Sequence, residues 1–500
     1  MPSLLDRIEN IGNRLPHPAI LFAVATVIVM LFSCIASVLE WSVEKISPLA
    51  EQSESASLVV PRNLLDSDGI WWLISHLVTN FVQFPPLGIV LVGMLGIGVA
   101  ERSGFIPAVL TGLANRVGNR ALTPAVVLLG ILSSVGLDAG YVVLPPIAAL
   151  LFLLGGRSPL AGIAAAFAGI SAGFSANLVI TAIDPLLAGF TEAAAQFVAP
   201  DYRVAVTANW WFMAASTGLL TLVGWLVTAQ WVEPRVNRIA INTSAEPDIA
   251  ASVPGAMHRA LLATLVVGGI FFALVLIPEA PLYGIGKRFP RWVEATVPML
   301  FILFLVPGIV YGLASGTFRS NRDIADAMGE TFASLGPYIV LAFFAAQFIE
   351  AFKYSHLGEM LAISGGQLLT ELAIPMSALI TIFIFVVMFG NLLVGSASAK
   401  YAFFAPVFVP MFMYVGISPE LTQVAYRVGD SITNIITPLN PYMIIIVALV
   451  QRFVATAGIG TVVALMLPYS IAFGIVWITM LLVWIALGLP LGPGGGLHYG

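Results

Sequence analysis

Two stretches, Ala19 to Leu39 and Thr461 to Leu487, contain no charged side chain. Each is longer than the roughly 20 residues an α-helix needs to cross the hydrocarbon core of a bilayer. Asn209 to Trp231, Leu261 to Ile277, Ala295 to Leu313 and Ser334 to Ile349 repeat the pattern with few or no charges. Ile70 to Ala100 is longer and is interrupted by Pro85 and Pro86. Only 9% of the 500 residues are charged and 59% are hydrophobic, whereas a soluble domain carries roughly 25% charged residues. A surface in lipid removes the need for that missing charge, so the chain reads as an all-α integral membrane protein. The net charge of −5 and the lack of a basic patch give no nucleic-acid partner. A single cysteine, Cys34, excludes a disulfide within the chain and a cysteine-based metal site. The first fourteen residues, with Asp6, Arg7, Glu9 and Arg14, lack a signal-peptide cleavage pattern, so Ala19 to Leu39 is expected to be a retained helix.

Four regions depart from plain spans. Leu160 to Pro185 and Thr422 to Val450 are interrupted by Gly, Ser, Asn, Asp and Pro and are expected to break near mid-membrane. Thr123 to Leu154 and Pro375 to Val415 each hold two apolar arms around a small polar centre, at Ser133 to Gly140 and Gly390 to Lys400. Arms that short turn back before crossing, which predicts re-entrant hairpins. Buried non-helical backbone of this kind is tolerated only where protein or a polar cavity satisfies it.

The two broken segments contain a repeat. Residues 173–185 read GFSANLVITAIDP and residues 429–441 read GDSITNIITPLNP. Gly173 aligns with Gly429, Ser175 with Ser431, Thr181 with Thr437, Asp184 with Asn440 and Pro185 with Pro441. Four plain spans between them return the chain to the side it left, so the copies are expected to run in opposite directions. Repeat 1 then covers about 70–231 and repeat 2 about 295–487, within one transmembrane domain of residues 1–487. The Gly/Pro-rich residues 488–500 are expected to form a flexible tail. Glu40 to Asp68 holds six acids and two bases, while Glu101 to Arg120 holds three arginines against one acid. The basic loop belongs in the cytoplasm, which places the N-terminus there, although the basic segment Pro278 to Glu294 argues the other way. Discontinuous helices in inverted repeats are a recurrent plan of secondary transporters: one half-helix end offers free N–H groups to an anion and the other free carbonyls to a cation.

Five ionisable residues, Asp138, Asp184, Lys400, Arg427 and Asp430, fall inside apolar segments, where each costs about 2.5–3.5 kcal/mol on insertion scales unless it faces a partner or a cavity. Arg427 and Asp430 share a helix face. Arg427 is expected to grip a substrate carboxylate and Asp430 to bind a cation or proton; the alternative is an ion pair within the helix. Asp184 reads as a proton acceptor or a helix N-cap, and Asp138 as a cap at the first hairpin tip. Lys400 is expected to extend toward the membrane face. Asn177, Ser175 and Thr181 in one copy, and Asn391, Ser398, Ser431, Asn434 and Thr437 in the other, offer oxygens to a hard cation or to the freed backbone. Tyr401 is a candidate ring for stacking on an aromatic substrate, or a packed tyrosine. No HExxH or P-loop pattern occurs and the five histidines lie apart; the Gly429–Asp430 pair, with Asp138, is what an intramembrane hydrolase would rest on. A channel is the other rival.

The runs SASAKYA (396–402), APVFVPM (405–411), SPELTQVAYRVGDS (418–431) and IITPLNPY (435–442) closely resemble the AbgT family of aminobenzoyl-glutamate transporters, as do GLDAGYVVL (136–144) and DPLLAG (184–189). The resemblance implies a homodimer in the inner membrane, with nine transmembrane helices and two re-entrant hairpins per subunit. It also implies carriage of p-aminobenzoyl-glutamate or export of sulfonamides, driven by a proton or sodium gradient. A sodium-coupled symporter of another small carboxylate is the alternative. Matching positions for substrate and transport are Asp184, Ser398, Pro419, Arg427 and Asp430, with Asn391, Asp430 and Asn434 as possible sodium ligands; Asn177, Thr181, Asp138 and Asn440 are secondary candidates. No other cofactor is implied. Tyr401 stands where the family commonly has tryptophan.

Overall fold

The computed structural model describes residues 18–45, 57–114, 118, 121–134, 139–238, 253–392, 394–440 and 442–500; Asp138 and Pro441 lie outside them. The described chain is built from helices, apart from two three-residue strands, β1 (Val43–Lys45) and β2 (Ser57–Val59), paired antiparallel with Val43 opposite Val59.

Helix α1 (Pro18–Val38) is followed by α2 (Ser67–Val82), whose start is fixed by Asp66 accepting from Gly69 N at 2.7 Å. Two prolines open α3 (Pro85–Arg102), where an absent N–H costs nothing. A short helix, α4 (Phe105–Ala114), leads to the first hairpin, formed by α5 (Leu122–Ser133) and α6 (Ala139–Leu154). Its arms are about 18 and 24 Å long at 1.5 Å per residue, short of the roughly 30 Å core. The first interrupted segment comes next. Helix α7 (Pro159–Phe167) loosens into a π-helical turn at Ala168–Ala172, the chain runs irregularly from Gly173, and α8 (Ile183–Ala195) resumes.

Plain spans follow: α9 (Trp210–Val227, continued to Val236), α10 (Pro254–Leu276) and α11 (Thr296–Ser315). Helix α12 (Asn321–Ser334) and helix α13 (Gly336–Tyr354) meet at a 46° bend. After α14 (Leu357–Glu371) the second hairpin is α15 (Met376–Asn391) and α16 (Ala397–Tyr414). The second interrupted segment is α17 (Pro419–Thr433), an irregular stretch through Thr437 and Pro438, and α18 (Met443–Gln451); α19 (Ile459–Ala486) completes the set. Among the described residues six helical stretches are long and apolar enough to cross a bilayer, and the bent α12–α13 pair makes a seventh. Leu262, Leu265 and Phe272 of α10 are 62–72% exposed. That face suits lipid and would be a liability in water.

The two interrupted segments sit at the centre, enclosed by the hairpins. Helix α17 packs against α15, α16, α8 and α19, and the π-helical turn packs against α5. Backbone contact is close on both sides. A Cβ on Gly169 would stand 2.4 Å from the Val127 carbonyl of α5, and one on Gly429 would stand 2.7 Å from the Ile384 carbonyl of α15. Gly429→Val therefore forces α17 off the second hairpin. Overpacking of this kind costs about 1–3 kcal/mol, to be read as a lowered unfolding temperature in detergent.

The expected flexible tail is not what residues 488–500 form. Leu491 and Leu497 are buried. Leu491 O accepts from Phe212 N at 3.0 Å, Leu497 O accepts from Ser418 N at 3.1 Å, and Tyr499 N donates to Gly416 O at 2.9 Å. The glycines that read as disorder are what allow the fit: a Cβ on Gly492 or Gly495 would lie 2.2 Å from Thr207 O or 2.0 Å from Ala208 O. The tail is a strap across the starts of α9 and α17.

Candidate functional site

Helix α17 begins with Ser418, whose hydroxyl accepts from Leu421 N at 3.0 Å, and Pro419 in the first turn. Pro419 is thus buried as a helix starter, and every residue of α17 is buried. Its polar residues Glu420, Gln423, Arg427, Asp430 and, just past its end, Asn434 are spaced three and four apart, which puts them on one face.

Arg427 and Asp430 do not pair with each other. Arg427 Nη1 donates to Asp184 Oδ1 at 2.6 Å and Nη2 to Ser175 O at 3.0 Å, so its partners all come from the first interrupted segment. Asp184 Oδ2 accepts from Thr181 N at 2.6 Å and Thr181 Oγ1 at 2.9 Å. The Asp184 side chain therefore closes the loop ahead of α8 and meets the arginine; it is not the N-cap, which is Ala182. Arg427 and Asp184 are 1% and 4% exposed, and Arg427 Nε is a buried donor with no acceptor.

Lys400 does not extend toward the membrane face. It is 2% exposed, with Nζ 2.5 Å from Asp430 Oδ1, and it also donates to Asn391 Oδ1 and, at 3.3 Å, to Val394 O. The reason is the carboxylate: Asp430, itself 1% exposed, needs a cation more than Lys400 needs water. Asn391 Nδ2 donates to Asp430 O, Thr433 Oγ1 and Asn434 Oδ1 at 2.6–2.9 Å. Asn434 Nδ2 reaches Asp430 Oδ2 at 3.4 Å. The three candidate sodium ligands, Asn391, Asp430 and Asn434, are thus together, and the cation held among them is the Lys400 ammonium.

Tyr401 is fully buried, with its hydroxyl 2.6 Å from Thr191 Oγ1 and its ring 4.3 Å from that of Tyr426. In this conformation it is packed core. Ser398, half-buried, lies 3.2 Å from Ser396 Oγ at the N-terminal end of α16. Asn177 serves the backbone: Nδ2 donates to Ile131 O at 3.3 Å and Ser134 Oγ at 2.9 Å at the end of α5. Asn440 joins the segments, donating to Ser171 Oγ at 3.1 Å and Asn434 O at 2.9 Å, and Ser175 N donates to Ser431 Oγ at 3.3 Å. Repeated positions of the two copies therefore meet.

Sequence reasoning missed two residues of this face, Gln423 and Glu420, and the two they bond, Thr191 and Tyr202. Gln423 Oε1 accepts from Thr191 Oγ1 at 2.7 Å. Both carboxylate oxygens of Glu420 accept from the Tyr202 hydroxyl at 3.0 Å. Burial and then the neighbouring carboxylate push the Tyr202 phenol well up, so it stays a donor. Glu420 is 2% exposed and, among the described residues, makes no ion pair. Its place at the helix start favours the anion by about 0.3–1 kcal/mol, against an effective desolvation cost of several kcal/mol for an unpaired ion. The three- and four-residue spacing from Glu420 to Asn434 was the available signal for Glu420 and Gln423.

The sequence profile of the AbgT putative transporter family matches residues 3–499. This chain belongs to the AbgT family. The p-aminobenzoyl-glutamate transport protein of Escherichia coli (strain K12) is 34% identical over 495 residues, which is 97% of this chain and 95% of that protein. The crystal structure of the Alcanivorax borkumensis YdaH transporter superposes with a TM-score of 0.91 at 42% identity, covering 96% of this chain and all of that one. Neisseria gonorrhoeae MtrF, described as illuminating a class of antimetabolite efflux pumps, gives 0.91 at 40% identity over 99% of this chain and all of its own. AbgT proteins are transporters, and the ion pairs above lie at the centre of an AbgT fold, where the two interrupted segments meet.

Proposed function

We propose that this chain is a secondary active transporter that moves p-aminobenzoyl-glutamate-like aromatic carboxylates, and sulfonamide antimetabolites, coupled to a gradient of protons or sodium. One observation carries the reading: a buried arginine in one interrupted segment is paired with a buried aspartate in the other, and its Nε is left without an acceptor. An orphaned buried donor costs about 1–3 kcal/mol, and a substrate carboxylate would relieve that cost by taking Nε and one Nη in a bidentate fork. Substrate and Asp184 then compete for Arg427. Protonation of Asp184 would release the arginine to the substrate, which links a proton to a carboxylate in one exchange. The name of the Escherichia coli relative supports p-aminobenzoyl-glutamate, and the description of the Neisseria protein supports efflux of antimetabolites. Both classes carry an aromatic ring, which Tyr401 would meet once the site opens.

Asp430 is the second coupling position in this reading, with Lys400 and a free cation competing for the oxygens of Asp430, Asn391 and Asn434. That oxygen-rich cluster is what favours the alternative, a sodium-coupled symporter of another small carboxylate. We further propose nine transmembrane helices arranged as two inverted repeats, an inner-membrane location with a cytoplasmic N-terminus, and a homodimer. Flux of labelled p-aminobenzoyl-glutamate in proteoliposomes, with pH and sodium gradients imposed separately, tests the function. Saturable uptake that follows one gradient supports it. Single-channel currents, or turnover of ester or peptide substrates in detergent, would replace it with a channel or a hydrolase.

A further inference from the structure

The polar face of α17 does not end at Arg427. Toward the helix start it continues through Gln423, bonded to Thr191, to Glu420 beneath Tyr202. From Glu420 to Asn434 the face is about 21 Å long at 1.5 Å per residue. Along it the side chains meet the loop at Tyr202, the first interrupted segment at Thr191 and Asp184, and the second hairpin at Lys400 and Asn391. Glu420 is the only acid on this face without a basic partner among the described residues. Asn209, which holds the Glu420 main-chain carbonyl through Nδ2 at 3.1 Å, has its own Oδ1 buried without a donor. This end of the face is therefore rich in acceptors and short of hydrogens.

The other titratable groups around Glu420 do not neutralise it. Tyr202 and the nearby Tyr499 ring, 5.9 Å from it, are phenols, as is Tyr401 on α16. His498 on the strap is exposed and pairs with Ile417 through its backbone. Glu192 and Arg203 pair with each other at 2.5 Å. Arg427, two turns along α17, is bound to Asp184. Tyr202 is half-buried in the loop ahead of α9, and its hydroxyl bonds the carboxylate.

We propose that Glu420 is a proton-binding residue of the transport cycle, taking one proton from water at the Tyr202 end of the polar face and returning it to water when α17 moves. On uptake one O–H bond of a hydronium ion breaks as one forms on the carboxyl group, and on release the transfer runs in reverse, with no electron gained or lost. It rests on the transporter reading above and adds to Asp184 and Asp430 a third acid at a separate place. Its neighbours fix the consequence: a charged Glu420 draws on Tyr202 and opposes burial, whereas a protonated one lets the start of α17 stay packed under the strap.

The test compares wild type, Glu420→Gln, Glu420→Asp and Tyr202→Phe in proteoliposomes, measuring pH-gradient-driven uptake of p-aminobenzoyl-glutamate and its exchange at equal pH on both sides. The expected result is loss of the driven-to-exchange ratio in Glu420→Gln and partial retention in Glu420→Asp. An unchanged ratio in Glu420→Gln overturns the proposal, and so does equal loss of both fluxes, which marks a structural role. Absence of flux in wild type tells instead against the transporter reading. The infrared carbonyl band of a protonated carboxylic acid then decides for Glu420: a band near neutral pH that Glu420→Gln removes upholds the proposal, and no such band refutes it.

Discussion

Arg427→Ala abolishes substrate uptake and destabilises the fold by about 3–5 kcal/mol, the usual result of removing one partner from a buried ion pair. Asp184 is left 4% exposed with only Thr181 for company, and the hydrogen bonds between the interrupted segments shrink to Ser175–Ser431, Asn440–Ser171 and Gln423–Thr191. A fall in transport alone would not separate function from folding. The paired variant Asp184→Leu/Arg427→Met does, because a buried pair replaced by apolar side chains of similar size is close to neutral in stability. The double variant is expected to recover its unfolding temperature and remain unable to transport. If it transports, the pair is scaffolding.

The second large effect concerns Lys400. Lys400→Met removes the ammonium from Asp430, Asn391 and Val394 and leaves a buried carboxylate unpaired, again at a cost of about 3–5 kcal/mol. Here the loss has a chemical remedy. The oxygens that held the ammonium are suited to a hard monovalent cation, and a ligand that binds only the folded state stabilises it by RT ln(1 + [L]/Kd), about 2.7 kcal/mol at a hundredfold excess over Kd. The unfolding temperature of Lys400→Met is therefore expected to rise with sodium more steeply than that of wild type, where Lys400 competes. Equal sodium dependence in the two proteins would show that the Asp430 cluster is not a cation site. Asp430→Asn in the Lys400→Met background should remove the dependence, since the charge that draws the ion is gone.

The sequence made the class and the breaks legible for a simple reason. Apolar length sets spans, and Gly, Pro and Asp inside them set interruptions, so α7–α8 and α17–α18 break within the expected regions. Residues 173–185 and 429–441 were also legible as one motif, and they meet in space. Partner choice was not legible. The i, i+3 spacing of Arg427 and Asp430 allowed an intrahelical pair, yet each found its partner on another element, Asp184 of the first interrupted segment and Lys400 of the second hairpin, because a helix face says which residues sit together and not what they face. Lys400 was misread for the same reason: a long side chain at a hairpin tip can reach either lipid headgroups or a carboxylate, and only the fold brings Asp430 within 2.5 Å. The strap failed differently. Glycine-rich composition signals freedom in isolation, but here it allows backbone contact at Gly492 and Gly495 that any side chain would block.

Tyr401 is packed core in this conformation. Its hydroxyl bonds Thr191 and its ring lies against Tyr426 and, edge-on, Phe190, so contact with a substrate ring requires a conformation in which α16 and α17 separate.

One measurement bears on all of this. Purified protein in proteoliposomes is loaded against labelled p-aminobenzoyl-glutamate, with a pH or a sodium gradient applied singly, for wild type, Arg427→Ala and Asp430→Asn. Saturable, gradient-dependent uptake in wild type that disappears in both variants is the predicted result; gradient-dependent uptake at the wild-type rate in either variant would contradict the assignment of transport to the two ion pairs where the interrupted segments meet.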